Sequence, residues 1–448
     1  MKIKKHTVRY RPKIKALQLI ALTISMTALL YLEISIPSII ESFNNDFNFN
    51  ITVFHVPRYI ILCEILIVIG SWFFFYYKSK WSFSKIESTK AKLFHILKSN
   101  KYYKTENDDS KSVYSSLKFK FYYLKSKLVV EAYSNGDPYT KKSNDMSEQL
   151  ESALAMPLIE KNKAHPEFTR YEFRTNPIER LQFQKQSDIT KSNGIIPLDS
   201  EKVWNFSKTP HAIIAGVTSG GKSFQLFILI LQLAKQGADF RIADPKRSEL
   251  STLKHYLPDG DKKVVFEVNQ ILKIMREFEE KMLYRYEKYF SKVNSKMGED
   301  YRHYNLRPCF LIIDEIASLK AMMDKKMLSE FNGYLQKIVM MGRAAGCYLI
   351  IATQKPEAEA VPTAIRDQFG LRIALGQMSN DGRKMALGNF EDLPTADIGT
   401  GKGYVYIDGL GWSNPHEYVS AYLDMDSINY RETLRQFVLE ARDCYIDD

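Results

Sequence analysis

The sequence predicts an α/β fold with a mostly parallel sheet, preceded by a two-helix transmembrane hairpin and a small α/β module. Three observations predict it. The stretch Gly216-Val217-Thr218-Ser219-Gly220-Gly221-Lys222-Ser223 matches GxxxxGK[ST] in full, with an apolar strand-like run before it and an apolar helical run after it. Further short apolar runs at 239–244, 310–315 and 347–354 are separated by helix-length segments, the alternation expected of a parallel sheet. Two apolar runs, 16–32 and 59–77, approach the roughly 20 residues that cross a bilayer as a helix.

The 448 residues suffice for two or three domains, and 45% hydrophobic with 26% charged residues excludes a wholly disordered chain. Four scattered cysteines (Cys63, Cys309, Cys347, Cys444) without a CxxC pair exclude a disulfide scaffold and a zinc finger. The net charge of +11 is unevenly placed. Lys2, Lys4, Lys5, Arg9, Arg11, Lys13 and Lys15 precede the first apolar run with no acid among them. The stretch 78–127 holds 13 lysines against Glu87, Glu106, Asp108 and Asp109. The connecting segment 33–58 instead carries Glu33, Glu41 and Asp46 against Arg58. Basic outer flanks orient a hairpin in the cell membrane with both termini, and the large α/β unit after it, expected on the cytoplasmic side. The first run lacks a small-x-small cleavage site and is followed by a second run, which argues against a signal peptide. Glu64 is expected to face another helix or lie off the bilayer centre, and the aromatic cluster 72–77 suits an interfacial anchor.

The resulting organisation is a basic tail (1–15), hairpin (16–77), basic linker (78–109), small α/β module (110–180), large α/β unit with the glycine loop (195–415) and acidic tail (416–448). In the module, 117–133 reads as strands, 135–138 as a turn, 147–161 as a helix and 170–174 as a strand. The lysines after the hairpin suit anionic lipid heads. Lys118-Phe119-Lys120-Phe121-Tyr122-Tyr123 leaves nucleic-acid binding open. Apolar residues of 270–291 recur every three or four positions, which predicts a helix packed on the sheet.

In the glycine loop, successive N–H groups can wrap a phosphate chain at the positive end of the next helix. Lys222 would reach the β- and γ-phosphates of ATP, and the Ser223 hydroxyl would ligate Mg²⁺. The apolar run 310–313 ends in Asp314 and Glu315. Asp314 is expected to hold Mg²⁺ and Glu315 to polarise the attacking water, with a helix-cap role as the alternative for the pair. Gln354, at the end of another strand, is placed to sense the γ-phosphate or orient water, or else to close a turn.

The ordered set of motifs resembles the FtsK/SpoIIIE group of membrane-anchored DNA translocases. It runs through 211–223, Asp244-Pro245-Lys246 with Glu249-Leu250, 300–305, 310–315, Gly342-Arg343-Ala344-Ala345-Gly346, 351–356, 371–374 and Asp381-Gly382-Arg383. It covers about residues 195–415. The resemblance implies a RecA-like P-loop ATPase that forms a homo-hexamer around DNA, with an arginine of one subunit completing the next subunit's site. Arg343, Arg366, Arg372 and Arg383 are the candidates, and Arg343 and Arg383 are carried as site residues. Lys246 and Arg247 are expected to line the pore, bind phosphate or cap a helix.

The motor is expected to end near Tyr406, leaving no room for the winged-helix module of chromosome-partitioning members. The stretch after Tyr406, from 407 to 448, holds nine acids against three arginines, suited to a basic partner protein. This compact form looks like the coupling proteins of Gram-positive conjugative elements, which implies a relaxase or secretion-channel proteins as partners. The alternatives are a chromosome-partitioning translocase, a protein-secretion ATPase with the same motor, and a nucleotide-dependent scaffold.

Overall fold

The computed structural model describes residues 4–9, most of 66–79, 81–105 and 113–446, apart from short stretches at 135, 137, 164, 292–296, 355, 357–359, 391–392, 395, 397 and 443. The first predicted span, the 33–58 segment and Glu64 lie outside the described residues, as do Glu357 to Glu359. Among the described residues no helix is long and apolar enough to cross a membrane. The chain divides into two compact units, Met1–Thr175 and Asn176–Asp448.

The first unit is an antiparallel sheet ordered β1-β4-β5-β7-β6 with helices on one face. Its elements are β1 (His6–Val8), α1 (Lys85–Ser99), β2 (Tyr103–Thr105), β3 (Val113–Ser116), β4 (Lys118–Tyr123), β5 (Lys127–Tyr133), α2 (Ser147–Leu154), β6 (Leu158–Asn162) and β7 (Phe168–Arg174). β2 and β3 form a separate two-stranded ribbon. The pleat of β4 splits the lysine–aromatic motif. Phe119 and Phe121 turn inward onto Leu128, Val130, Tyr171 and Phe173. Lys118 and Lys120 alternate to the other face, where both ammonium groups lie over the Tyr133 ring, at 4.9 and 4.2 Å. On that face the fully buried Glu131 accepts from Lys5 (2.8 Å) and Arg170 (3.4 Å).

Two expectations change here. The helix predicted over 147–161 stops at Leu154, because Ala155 turns left-handed (φ 54°) and Pro157 cannot continue the ladder. Residues 158–162 form β6 instead. The basic tail is also not wholly a tail, since β1 pairs antiparallel with β4, His6 opposite Phe121 and Val8 opposite Phe119. Segments on either side of the predicted hairpin therefore share one sheet.

The second unit is built on an eight-stranded mixed sheet, ordered β13-β12-β14-β15-β11-β16-β17-β18. Peripheral strands β8 (Gln182–Phe183), β9 (Ile195–Pro197) and β10 (Val203–Asn205) precede it. β11 (Ala212–Gly216), β12 (Asp239–Ala243), β13 (Val264–Val265), β14 (Cys309–Ile313), β15 (Cys347–Thr353) and β16 (Leu371–Leu375) run parallel. β17 (Lys402–Ile407) and β18 (His416–Val419) add an antiparallel edge, and β19 (Tyr422–Leu423) pairs with β8. The central parallel strands are apolar almost throughout because helices cover both faces. Alternate residues such as Ile214, Phe240, Ile312 and Ile350 pack under α3 (Lys222–Lys235), and Ile213, Leu311, Ile313 and Ile351 face the other way. That second face is covered by α4 (Val268–Arg285) and α6 (Lys325–Ala345), with the short α5 (Ile316–Ala321) directly after β14.

The predicted 270–291 helix is α4, followed by a wider turn over Tyr286–Phe290. α7 (Asn380–Leu387) follows β16, and α8 (Tyr430–Arg442) buries Leu434, Phe437 and Val438 in the core beside α3. The sheet and core thus extend past Tyr406 through the acid-rich segment. His211, fully buried ahead of β11, ties the layers together. Its Nδ1 accepts from the Leu349 amide (3.0 Å), leaving Nε2 to donate to the Val339 carbonyl (3.1 Å), and burial lowers its pKa to about 4.

Replacing Val8, which is 6% exposed, by Asp places a carboxylate among apolar neighbours and opens the β1–β4 edge. At a cost of about 2 kcal/mol, amide exchange across β4 accelerates by roughly 30-fold. Unchanged exchange means that β1 does not hold the sheet.

Candidate nucleotide site

Parallel register brings the carboxyl ends of β11, β12, β14 and β15 to one edge, where the loop Gly216–Ser223 opens into α3. The loop geometry requires its glycines. Gly221 has φ 96°, and a Cβ there would lie 2.9 Å from the Gly401 nitrogen. A Cβ on Gly220 would lie 2.9 Å from the Val217 carbonyl oxygen and 3.0 Å from that of Leu375. Thr218, Ser219 and Ser223 are exposed around this cradle, and Lys222 is buried. A loop of this kind, with a lysine at the start of a helix, fits a chain of phosphates.

Opposite the loop lie the two carboxylates that end β14. Lys222 Nζ donates to Asp314 Oδ1 at 2.7 Å and lies 4.0 Å from Glu315 Oε2. All three side chains are less than 10% exposed. Ions this buried are retained only when paired, since each loses its hydration. Glu315 adopts a left-handed conformation (φ 55°, ψ 63°), an unfavourable one for a residue with a Cβ. Its side chain is held from three directions. Thr353 Oγ1 and the Gln354 backbone N–H each donate to Oε1 at 3.2 Å, and Lys246 Nζ donates to Oε2 at 3.3 Å.

The β11–β14–β15 edge thus brings together the loop, Lys222, Asp314, Glu315 and Gln354. Gln354 meets Glu315 through its backbone, so position rather than side-chain type matters in this contact. The candidate arginines are more scattered. Arg343 is exposed near the end of α6, at the opposite edge of the sheet, where its Nε donates to the Ser207 carbonyl at 3.3 Å. Arg383 on α7 places its guanidinium 5.5 Å from the Tyr404 ring. Arg372 is buried and donates to the Phe369 and Leu387 carbonyls and Asp408, each at 3.0 Å. Arg366, also buried, donates to the Met385 carbonyl at 3.0 Å. The last two hold this chain's own fold.

Two contributors were not singled out in the sequence, and a third, Asp244, was named only as part of a family motif. The Gly399-Thr400-Gly401 turn straps the phosphate loop: Gly401 N–H donates to the Gly220 carbonyl (2.9 Å) and Thr400 Oγ1 to that of Ser219 (3.2 Å). Its glycines were the only signal. Gln225 on α3 accepts from Tyr418 (2.7 Å) and Ser420 (2.6 Å), fixing the helix to the antiparallel edge. Asp244, fully buried beyond β12, accepts through Oδ2 from Ser248 Oγ (2.9 Å) and Ser251 N–H (3.0 Å). Burial pushes its carboxyl above the ordinary range, and the Asp314 charge adds to the rise.

Fold and site together define a P-loop ATPase. The FtsK/SpoIIIE family profile matches residues 179–358. The chain is 31% identical over 361 residues to the FtsK domain-containing protein YdcQ of Bacillus subtilis (strain 168), covering 78% of this chain and 73% of that protein. It is 26% identical over 231 residues to the DNA translocase FtsK of Caldanaerobacter subterraneus subsp. tengcongensis, 50% of this chain but only 31% of that protein. Among solved structures, the pCW3 conjugation coupling protein TcpA, in a monomer form with ATPγS, superposes with a TM-score of 0.50 at 19% identity, over 79% of this chain and 99% of that one. The chain belongs to the FtsK/SpoIIIE family.

Gly221→Ala adds a methyl at a positive-φ position against the Gly401 strap. ATP affinity, measured with a fluorescent analogue, is expected to fall at least about tenfold, or 1.4 kcal/mol. Affinity within twofold of wild type contradicts the cradle.

Proposed function

We propose that the protein is a membrane-anchored, ATP-hydrolysing DNA translocase, acting as the coupling protein that delivers DNA to a conjugative transfer channel. The observation that carries the motor reading is the Lys222–Asp314–Glu315 cluster facing a strapped phosphate loop in an FtsK/SpoIIIE chain. Lys222 exchanges its carboxylate partner for the β- and γ-phosphate oxygens. Glu315, held by Thr353 and the Gln354 amide, takes the proton of the water that attacks the γ-phosphorus. The bond to the bridging oxygen breaks, releasing ADP and phosphate. Ser223 and Asp314 are the residues that would hold Mg²⁺, which would neutralise charge on the phosphates. The chain acts as a homo-hexamer in which Arg343 or Arg383 reaches the neighbouring subunit's site.

One observation supports the membrane anchor, and a second sets its parity. Pairing of β1 with β4 requires residues before and after 10–77 to lie on the same side of any bilayer. An even number of spans, two or none, satisfies that requirement. Described helical positions before α1 also expose large apolar side chains: Leu66, Ile69, Trp72, Phe73 and Phe74 are each more than half exposed. Trp81 and Phe83 follow beside Lys78 and Lys85, the pattern of an interfacial belt. The DNA substrate and the channel role draw on the relatives' names, with a relaxase or channel proteins as partners.

The test is ATPase activity of the purified full chain with and without DNA. DNA is expected to stimulate the wild type. Lys222→Ala is expected to lose nucleotide binding, and Glu315→Gln to bind ATP while turning over at least about 100-fold more slowly. Full activity in both variants overturns the proposal, and stimulation by a secreted protein but not by DNA favours a protein-export motor.

A further inference from the structure

The first unit packs its helices on one face of the sheet and leaves the other face to long polar side chains. On that face Lys118 and Lys120 stand two residues apart along β4, so both ammonium groups share the Tyr133 ring. The ring is fixed in place: its hydroxyl accepts from Lys120 Nζ and donates to Glu131 Oε2, each at 3.1 Å. Glu131 itself is taken up by Lys5 and Arg170. Among the described residues neither Lys118 nor Lys120 makes an ion pair with a carboxylate; the ring and its hydroxyl are what they touch. Val8 lies opposite Phe119, which brings Arg9 to the Lys118 end of β4. Burial, and then the like charges of Lys120 and Arg9, hold the Lys118 pKa below its ordinary value, while Glu167 offsets less than any of these. Cations gathered against their own repulsion, with their stems laid on an aromatic ring, suit an anion whose oxygens can be shared between them.

Two features choose the anion. Tyr122 and Tyr133 are each only 8% exposed beneath the cations. Single-stranded nucleic acid is held by bases stacked on open rings, so this face is built for phosphate and not for bases. The second feature is place. β1 is an edge strand, and β4 beside it lies between the two points where the chain passes to and from 10–77. Arg9 is at one end of β4; at the other, Tyr123 Oη donates to the Lys85 carbonyl at the start of α1 (3.5 Å). With a first span beginning at residue 16, the chain from Arg9 reaches at most about 25 Å. Lysines tethered that close to a bilayer meet phosphate as lipid headgroups.

We propose that the Lys118–Lys120–Tyr133 face binds the phosphates of anionic phospholipid and docks the first unit on the leaflet from which its chain enters the membrane. The choice of lipid rests on the membrane-anchor reading, whereas the cation face does not.

The experiment reconstitutes the full chain into vesicles of phosphatidylcholine, with or without phosphatidylglycerol, and follows lysine acetylation by peptide mass spectrometry. Phosphatidylglycerol is expected to slow acetylation of Lys118 and Lys120 by about fivefold, and Lys98, on the helix that covers the opposite face, by less than about twofold. High salt is expected to remove the difference. No slowing by phosphatidylglycerol, or equal slowing at Lys98, overturns the assignment. Duplex DNA added to phosphatidylcholine vesicles is a separate arm, and slowing by DNA but not by phosphatidylglycerol makes the face a nucleic-acid site and overturns the lipid. Glycerol phosphate is another, and protection by it equal to that by phosphatidylglycerol overturns docking on a lipid surface. Extraction with alkaline carbonate tests the anchor separately. If the chain is stripped yet phosphatidylglycerol protects both lysines, the face stands and the anchor reading falls. If the chain resists stripping and neither lysine is protected, the anchor stands and the face falls.

Discussion

The site depends on one buried ion pair, Lys222 to Asp314 at 2.7 Å, across the carboxyl edge of the sheet. Removing two ions from water costs several kcal/mol each, so neither survives there without a partner. The pairing needs β11 and β14 separated only by β15 and all three in parallel register, with Ile213 and Ile313 both level with Ile351. That register is enforced by apolar residues on both faces of each strand. A triphosphate carries more negative charge than one carboxylate, and bound at the loop it would meet Lys222 at a helix start whose partial positive charge adds to the attraction. On the proposed mechanism the lysine is held near its working position by the acid that it would leave.

The same edge joins the phosphate loop to the rest of the unit. Through Gly401 and Thr400 the loop is bonded to the turn before β17, and through Gln225 the following helix is bonded to Tyr418 and Ser420. A change in loop conformation is therefore shared with the antiparallel edge and with α8, which packs on α3. The acid-rich segment, read from composition as a tail, contains β18 and α8 and belongs to this framework. Charge described its surface, while Leu434, Phe437 and Val438 decide its place.

The legible parts were those written locally. The phosphate loop, the β14 apolar run ending in two acids, and the parallel strands follow from short patterns whose spacing carries the chemistry. What could not be read came from long-range pairing. Nothing in His6-Thr7-Val8 announces that it completes a sheet more than a hundred residues away, and three residues are too few for a periodicity. Arg372 matched a family motif as well as Arg343 did, yet burial gives it to two carbonyls and Asp408. The contact of Lys246 with Glu315 depends on the adjacency of β12 and β14, and the helix stop at Leu154 on a left-handed alanine. The mixed lysine–aromatic strand was ambiguous until the pleat sorted it, with phenylalanines to the core and lysines to the open face.

The central claim is that hydrolysis at this edge moves DNA rather than merely responding to it. The direct measurement is displacement of a triplex-forming oligonucleotide from duplex DNA by the full chain. The account predicts displacement with ATP, none with ATPγS and none in Lys222→Ala. DNA-stimulated hydrolysis by the wild type without displacement under any nucleotide would contradict it.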